Sequence, residues 1–345
     1  MKKINFYLLS DRKVAVTGGH KYEKDLFEIC EKIPGTETCR SVVGAEKMPK
    51  ILKPIAEVFK SIKFSKGNII IYNSSTCLRL LPGMLLLRFF TNKELYSVHH
   101  HFIYLEFKGL KRFVYKTAER LFLKSSKKII VPSPYIYEEL KKIKKEKDLL
   151  LWRIPFDVEQ SKAPKPIKGN LTFAGTIEPR KGLIYLFEAL NILREKGIHY
   201  KLNILGKVVN DEYYKKLREY AQKHNLNVEF LGFVEKDVKD RILSETDIFV
   251  FPSLLEGFGM VLVEAQVYGL PIVSFDNSAM PFSVKDGVNG FTVKTGDSAE
   301  MAEKIKDIIT NRELREKLSQ GALENLKDQW SFERFQNVVK DHFGA

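Results

Sequence analysis

The chain has 345 residues, of which 44 % are hydrophobic and 29 % are charged. This is the composition of a globular protein, which excludes disordered, collagen-like and other fibrous classes, and the length suggests two domains. With 57 Lys and Arg against 43 Asp and Glu, the formal net charge is +14.

The positive charge is concentrated in the first half. Residues 1–165 contain 33 Lys and Arg against 17 Asp and Glu, whereas residues 166–345 contain 24 against 26. A basic half of this kind suits a partner that carries phosphate, such as a nucleic acid, an anionic lipid or a phosphorylated acceptor. A lysine-rich surface that only keeps the chain solvated is the alternative.

Cysteines and apolar runs bear on the compartment. Cys30, Cys39 and Cys77 form neither a disulfide framework nor a zinc spacing, which indicates a reducing compartment. The apolar patch at 4–9 is too short for a signal peptide. The run at 80–90 is interrupted and shorter than the roughly 20 apolar residues that span a bilayer. We therefore expect a cytoplasmic protein.

In chain order, apolar runs alternate with helical patterns. The first half has predicted strands at 4–9, 68–73, 95–100, 127–133 and 149–155. A helical pattern follows the TGG turn at 17–19, and Ser133 is placed to cap another helix. A stretch rich in Pro and Lys (161–170) marks a linker. The second half has predicted strands at 170–176, 200–206, 228–234, 246–253, 269–275 and 290–294.

This alternation predicts an α/β fold with parallel sheets covered by helices on both faces. We expect two Rossmann-like domains with their sheets facing a cleft, spanning 1–160 and 161–325. A C-terminal helix in 326–345 is expected to pack back on the first domain. Ligands of such sheets bind at the carboxyl ends of the strands.

The segment 251–276 is the most informative. Glu256 follows a strand and a short loop, and Gly257 and Gly259 flank Phe258, so the backbone there can approach a ligand closely. A nearly apolar helix begins at Met260, and its N-terminus offers free amides to an anion.

The same helix contains one charge, Glu264, and a carboxylate in a buried helix is costly unless it is paired. Two carboxylates beside an anion site suit a ligand with an anionic centre and several hydroxyls, such as a sugar nucleotide. The alternative is structural: Glu256 caps a helix and Glu264 pairs with a core Lys or Arg.

A second motif, FAGTIEPRKGL (173–183), contains Gly175 at a strand end and two cations, Arg180 and Lys181, before an apolar helix. Two cations at a strand–turn–helix junction suit a diphosphate, with Arg as a bidentate donor. The alternative is two exposed cations in a first helical turn, where they oppose the helix dipole.

These motifs carry a family resemblance. The two Glu separated by seven residues in 251–276, together with GTIEPRKG, resemble retaining glycosyltransferases of the family 4 type (glycosyl transferases group 1). DIFVFPS and VKDGVNGFTVKTGD (284–297) are also typical of that family. The resemblance covers about residues 170–300 and extends more loosely to TGG and to SVHHH (97–101).

The resemblance implies a GT-B fold and metal-independent transfer with retention, with no cofactor. It implies a catalytic set and a donor-binding set. The catalytic set is Glu256 at the donor sugar, Arg180 and Lys181 at the diphosphate, and His99 facing the sugar. The donor-binding set is Glu264 at the ribose, the backbone amides of Gly259 and Met260, Gly232 and Val234 at the base, Gly18 and Gly19 at the phosphate or acceptor, and also Gly257, Phe258 and Gly175.

Two features depart from the family pattern or leave a register open. Where many relatives have Gly-Gly-x-x-Glu after a strand, this chain has Asp276 to Pro281. Among the three adjacent histidines we favour His99, then His100. Adjacent histidines on a strand point to opposite faces, so they do not indicate a metal site.

The segment 107–128 has apolar residues interleaved with eight Lys and Arg. A basic amphipathic helix of this kind is typical of an element that lies on a membrane surface. A core-facing helix with a solvated basic face is the alternative.

We therefore expect a glycosyltransferase that moves a hexose from a nucleotide-diphosphate sugar to a lipid-linked or glycan-precursor acceptor, peripheral on the inner face of the membrane. A sugar-nucleotide epimerase on a similar fold is one alternative. A basic nucleic-acid-binding protein is another, although no nucleic-acid motif is present and we expect no nucleic-acid partner.

Overall fold

The computed structural model describes residues 2–8, 18–42, 69–74, 77–90, 92–156 and 169–344. Thr17 of the TGG turn and residues 161–168 of the expected linker lie outside this part of the chain. The fold divides into two compact units, Met1–Phe156 with Trp330–Ala345, and Asp157–Gln329.

The first unit is a six-stranded parallel sheet in the order β2-β1-β3-β4-β5-β6. Its strands are β1 (Lys2–Leu8), β2 (Thr36–Val42), β3 (Ile69–Asn73), β4 (Glu94–Val98), β5 (Lys128–Val131) and β6 (Leu149–Leu151). Its helices are α1 (Gly18–Glu31), α2 (Cys77–Phe90), α3 (Gly109–Ser125), α4 (Pro134–Lys141) and α12 (Phe332–Gly344), with a 3₁₀ turn at Ile103–Glu106.

Local sequence explains these elements. All five residues of β3 are buried, as expected for a continuous apolar run in a parallel sheet covered on both faces. Ser133 Oγ accepts a hydrogen bond from the backbone amide of Ile136, which confirms the predicted cap of α4. Helix α12 packs on α1, where the rings of Phe335 and Tyr22 lie 5.2 Å apart.

The second unit is also a six-stranded parallel sheet, in the order β12-β11-β10-β7-β8-β9. Its strands are β7 (Asn170–Ala174), β8 (Lys201–Leu205), β9 (Val228–Gly232), β10 (Ile248–Phe251), β11 (Ile272–Phe275) and β12 (Gly290–Val293). Its helices are α5 (Leu183–Glu195), α6 (Asp211–Lys223), α7 (Lys236–Ser244), α8 (Met260–Val267), α9 (Met280–Ser283), α10 (Ser298–Thr310) and α11 (Arg312–Asn325).

Its core is built from the central strands and α5. Phe173 on β7 stacks against Phe251 on β10, with ring centroids 5.8 Å apart, and Leu186, Phe187 and Leu190 of α5 are fully buried against the sheet. Two parallel sheets with helices confirm the predicted α/β class with two Rossmann-like domains. In the order β10-β7-β8-β9, four neighbouring strands end at one edge of the sheet, and this edge carries the candidate site.

Candidate functional site

The carboxyl ends of β7 and β8 meet at two glycines. Gly175 follows β7 and donates its amide to Leu205 O at 2.8 Å. Gly206 follows β8 with φ of +148°, and a Cβ at this position would overlap the carbonyl oxygen of Gly175. Only glycine allows this approach, so the two backbones close without side chains between them.

A short 3₁₀ turn, Pro179–Lys181, presents the two predicted cations. Gly182 ends the turn in the left-handed region (φ +64°), where a Cβ would overlap Pro252 O. Arg180 Nη1 donates to Leu255 O and Nη2 to Glu178 Oε1, both at 2.8 Å. The backbone of this turn is therefore packed against the loop that follows β10.

Lys181, unlike Arg180, is nearly buried. It is 9 % exposed, and its Nζ lies 5.1 Å above the centre of the Phe251 ring. Its ammonium forms an ion pair with Glu256. A buried lysine requires such a partner because burial without one is costly.

The Glu256 carboxylate is held through one oxygen. Its Oε1 accepts from Lys181 Nζ, from Ser253 Oγ at 2.9 Å and from Arg180 Nη1 at 3.4 Å. Among the described residues, no donor reaches Oε2. One oxygen is thus fixed by three donors while the other keeps its full capacity to accept a hydrogen bond from a ligand.

The structure therefore brings Glu256, Arg180 and Lys181 into one cluster. The sequence placed the two cations at a diphosphate, and in the protein alone they contact the glutamate. Their role at a diphosphate stays a prediction.

Gly259 is the N-cap of helix α8 and has φ of +75°, and Leu262 N donates to Gly259 O at 2.9 Å. The sequence suggested a helix that is apolar and buried all round, which is wrong for one face. Met260, Val261 and Glu264 share this half-buried face because they are spaced by one and by three to four residues. Gly257 and Phe258, which precede the helix, are half-buried as well.

Glu264 is one-third exposed and pairs with Lys239 Nζ of α7 at 3.0 Å. The pairing matches the structural alternative in kind, but Lys239 is itself 29 % exposed and belongs to a neighbouring helix rather than to the core. Such a pair is weak in water. Glu264 can therefore exchange Lys239 for the hydroxyls of a ligand at small cost.

The end of β9 lies next to Gly206, the glycine that follows β8. Gly232 has φ of +68°, and its carbonyl accepts from Gly206 N at 2.7 Å. Phe233 is 71 % exposed and Val234 is half-buried. The residues predicted to border a base are thus at the same edge of the sheet as Gly175 and the Glu256 cluster.

The first unit places the three histidines in different surroundings. His99 is fully buried, and its Nδ1 lies 2.7 Å from Ser74 Oγ. His100 Nε2 lies 3.1 Å from Oε1 of the buried Glu23, which also accepts from Asn73. His101 is half-buried, and its Nε2 lies 3.2 Å from Glu106 Oε1.

Burial lowers the pKa of His99 well below its ordinary value, because an imidazolium is costly there, and the neighbouring His101 and His100 add to this effect. His99 is therefore neutral. Within the described residues its Nε2 has no hydrogen-bond partner. The predicted contact of His99 with a sugar stays a prediction.

Gly18 and Gly19 are the first two residues of α1, and their predicted role at a phosphate or acceptor stays a prediction. Four polar residues in the hydrogen-bond networks of Glu256 or of the histidine pair His99 and His100 were not predicted from the sequence: Ser253, Ser74, Asn73 and Glu23. Ser253 is three residues before Glu256 in the segment FPSLLE, and that spacing is the one signal that could have indicated it.

Two further properties of the described residues concern metal ions and membranes. No group of three or more His, Cys, Asp and Glu side chains is arranged to hold a metal ion. No helix in this part of the chain combines the length and the apolar character that crossing a membrane requires.

Residues 157–325, which span nearly all of the second unit and its site, match the sequence profile of glycosyl transferases group 1. The match to this family therefore lies in the second unit. The glycine-lined edge and the two glutamates described above are within the matched residues.

Individual curated proteins are similar to this chain over different shares of its length. An uncharacterised 41.2 kDa protein in the cps region of Klebsiella pneumoniae is 27 % identical over 71 % of this chain and 70 % of its own length. The phosphatidyl-myo-inositol mannosyltransferase of Mycobacterium leprae is 35 % identical over 45 % of this chain and 41 % of its own length. Apart from the Klebsiella protein, the chain spans less than half the length of the first curated relatives it matches.

Among solved structures, Anabaena Alr3699/HepE in complex with UDP and glucose superposes with a TM-score of 0.77. The two sequences are 17 % identical, and the superposition covers 99 % of both chains. At this identity the likeness shows the shared fold.

Proposed function

We propose that this chain is a group 1 glycosyltransferase, which transfers a hexose from a nucleotide-diphosphate sugar to a lipid-linked or glycan-precursor acceptor, with retention of configuration and without a metal ion. The observation that carries the proposal is the Glu256 cluster. Three donors hold one carboxylate oxygen at the carboxyl edge of the sheet, and no donor in the described part of the chain holds the second oxygen, which can accept from a sugar hydroxyl.

Two cations beside the carboxylate suit the leaving group. Breaking the bond between sugar and phosphate places negative charge on the nucleoside diphosphate, and Arg180 and Lys181 supply fixed positive charge at this point. Before the donor binds, Glu256 compensates that charge. The backbone amides at Gly259 and Met260 add hydrogen-bond donors at the start of α8.

The remaining contacts extend along the same edge of the second unit. Glu264 accepts from ribose hydroxyls in place of Lys239, and Gly232 and Val234 border the base. Gly175 and Gly206 allow the phosphates to approach the backbone. Two relatives support a nucleotide-sugar donor and a lipid acceptor by what they are: HepE was solved with UDP and glucose, and the mycobacterial relative is named for mannosyl transfer to phosphatidyl-myo-inositol.

A surface of the first unit suits an anionic membrane. Residues 109–114 at the start of α3 are exposed on every side, with Leu110 79 % and Phe113 67 % exposed. Lys111 Nζ lies 4.1 Å above the ring of Phe107, and Arg112 and Lys116 are exposed beside it. Apolar side chains ringed by cations are typical of an element that lies in a membrane interface, which supports the proposal that the reaction takes place at a membrane surface.

A donor-consumption assay tests the enzyme proposal. Wild type is incubated with UDP-, GDP- and ADP-hexoses and a lipid extract, and the released nucleoside diphosphate and the product are measured by mass spectrometry and NMR. We expect one donor to be consumed, an anomeric configuration that is retained, and a rate in EDTA within about twofold of the untreated rate. Epimerised or free sugar without a glycosylated acceptor would contradict transfer, and loss of activity in EDTA that a divalent ion restores would contradict metal independence.

Vesicle co-sedimentation tests the membrane proposal. Binding of wild type to anionic vesicles should be strong at low salt and should weaken as salt screens it, since the Debye length is about 10 Å at 0.1 M. Replacing Lys111, Arg112, Lys116 and Lys124 with Gln should weaken it strongly. The matched control replaces four exposed lysines of the second unit with Gln, namely Lys215, Lys216, Lys223 and Lys317. Equal loss in both variants would contradict a specific membrane surface.

A further inference from the structure

The loop that follows β11 contains an unusual backbone conformation beside the candidate site. Ser278 has φ of +46°, and Ser278 and Asn225 are the two non-glycine residues with positive φ in the described part of the chain. Asn tolerates this region because its side chain forms local hydrogen bonds, whereas Ser is uncommon there. A strained conformation at a site persists only where surrounding contacts maintain it.

The contacts of Ser278 lead directly to Glu256. Its Oγ accepts a hydrogen bond from the backbone amide of Glu256 at 3.2 Å and donates to Asn277 Oδ1 at 2.6 Å. The hydroxyl therefore uses its donor and one acceptor position within the loop. The backbone of Glu256 is fixed from the loop after β11.

Asn277 continues the chain of hydrogen bonds. Its Nδ2 donates to Ser253 O at 3.3 Å and to Thr295 Oγ1 at 2.8 Å. Thr295 Oγ1 donates in turn to Asp276 Oδ1 at 3.0 Å. Every donor in this series of hydrogen bonds has an acceptor, so the direction of each hydrogen bond is determined.

Ser253 closes the network on the carboxylate. Its carbonyl oxygen accepts from Asn277, and its Oγ donates to Glu256 Oε1 at 2.9 Å. The loop after β11 thus controls Glu256 twice, at the backbone through Ser278 and at the carboxylate through Asn277 and Ser253. Asn277 and Ser278 lie in the stretch after β11 where many members of the family that this sequence resembles have two glycines and a glutamate.

We infer that Ser278 and Asn277 are positioning residues for Glu256, which direct its free Oε2 towards the donor sugar. The inference rests on the proposed function, because it assigns these residues a purpose only if Glu256 contacts a sugar. The left-handed conformation of Ser278 places its Oγ beside the amide of Glu256, and this is why the conformation is maintained.

A double-mutant cycle separates positioning from general stability. Ser278→Ala should lower kcat about tenfold, the loss of roughly one hydrogen bond to a positioned group, and change the donor KM less than about threefold. In the Glu256→Gln background the same change should lower kcat less than about twofold, because a residue that acts through Glu256 has nothing further to disturb.

Two further variants separate the loss of the Ser278 hydroxyl from backbone strain and from the loss of any hydroxyl elsewhere. Ser278→Gly removes the hydroxyl but suits a positive φ, so it should fold at least as well as wild type and still lose about tenfold in kcat. Ser244→Ala removes a hydroxyl that donates to Arg241 O on α7 and should change kcat less than about twofold.

The outcomes are distinct. Equal losses with and without Glu256, or a Ser278→Gly variant that is as active as wild type, would overturn the positioning role and leave the proposed function standing. A wild-type protein that binds and consumes no nucleotide sugar would overturn the proposed function, and the positioning role with it.

Discussion

Lys181 Nζ and Glu256 Oε1 form an ion pair in which neither side chain is more than 13 % exposed. The lysine comes from the turn after β7 and the glutamate from the loop after β10, so the pair links two neighbouring strand ends. A partly desolvated pair of this kind contributes to stability only while both partners are present.

Replacing Lys181 with Met should therefore destabilise the protein. Met keeps an apolar side chain near Phe251 but leaves the Glu256 charge with two weaker donors, Arg180 and Ser253. We expect the free energy of unfolding to fall by about 2 kcal/mol, measured by urea denaturation. Lys196→Met, which removes an exposed pair with Glu303, is the control and should change it by less than about 0.5 kcal/mol. Equal effects would contradict the account.

Arg180 should matter more for turnover than for binding. Charge on the leaving diphosphate grows towards the transition state, so a cation aimed at it contributes most there. Arg180→Ala should lower kcat at least about tenfold while the donor Kd changes less than about threefold. Steady-state kinetics and calorimetry measure the two quantities, with Arg194→Ala on α5 as the control. A loss confined to Kd would show that Arg180 binds the ground state only.

Glu264 should matter for donor binding. Glu264→Ala removes the proposed ribose contact and should weaken the Kd of the preferred nucleotide about tenfold. Lys239→Ala removes its partner in the free protein and should change the Kd less than about threefold, because an exposed pair contributes little. If the two variants weaken binding equally, the ion pair rather than a ribose contact explains the effect.

Glu119 on α3 should make stability depend on pH. Burial raises the pKa of its carboxyl to about 7, and it accepts hydrogen bonds from Ile103 N and Tyr104 N. Of the charged groups near it, His101 lowers this pKa and Glu106 raises it. Between the ordinary pKa of about 4.5 and about 7, the folded protein keeps the proton while the unfolded chain releases it, so stability falls as pH rises through this range.

The Glu119→Gln variant should lose this component. Its Tm should decrease less than that of wild type between pH 5 and pH 7, since Gln does not titrate. The opposite contribution of the neutral His99 is common to both proteins and cancels in the comparison. Parallel Tm curves over this range would contradict the raised pKa of Glu119.

The sequence predicted the central strands well because they are buried on both faces and form continuous apolar runs. The sequence predicts strands at 68–73 and 246–253, and the structure has β3 and β10 within these ranges. The strand β2 was not predicted. Its sequence, TETCRSV, is mostly polar and contains no continuous apolar run. The strand lies at the edge of its sheet, where burial is weaker.

The sequence predicted which residues form the site better than it predicted the contacts between them. Glu256, Arg180 and Lys181 were expected at strand ends, and the strand order brings these ends together. Neither the contact of Ser253 with Glu256 nor that of Ser278 could be read from the sequence, because both depend on how the loops after β10 and β11 meet. Glu264 was expected in a buried helix, but one face of α8 is left half-exposed by its neighbours, which no periodicity within α8 reveals.

The central claim is that the edge formed by β10, β7, β8 and β9 binds a nucleotide-diphosphate sugar. Isothermal titration calorimetry of wild type with UDP-, GDP- and ADP-hexoses, each repeated with Glu264→Ala and with the Ser244→Ala control, tests it most directly. The account predicts saturable binding of one donor class by wild type and the control, and weaker binding by Glu264→Ala. Absence of binding for all three classes, or binding that Glu264→Ala leaves unchanged, would contradict it.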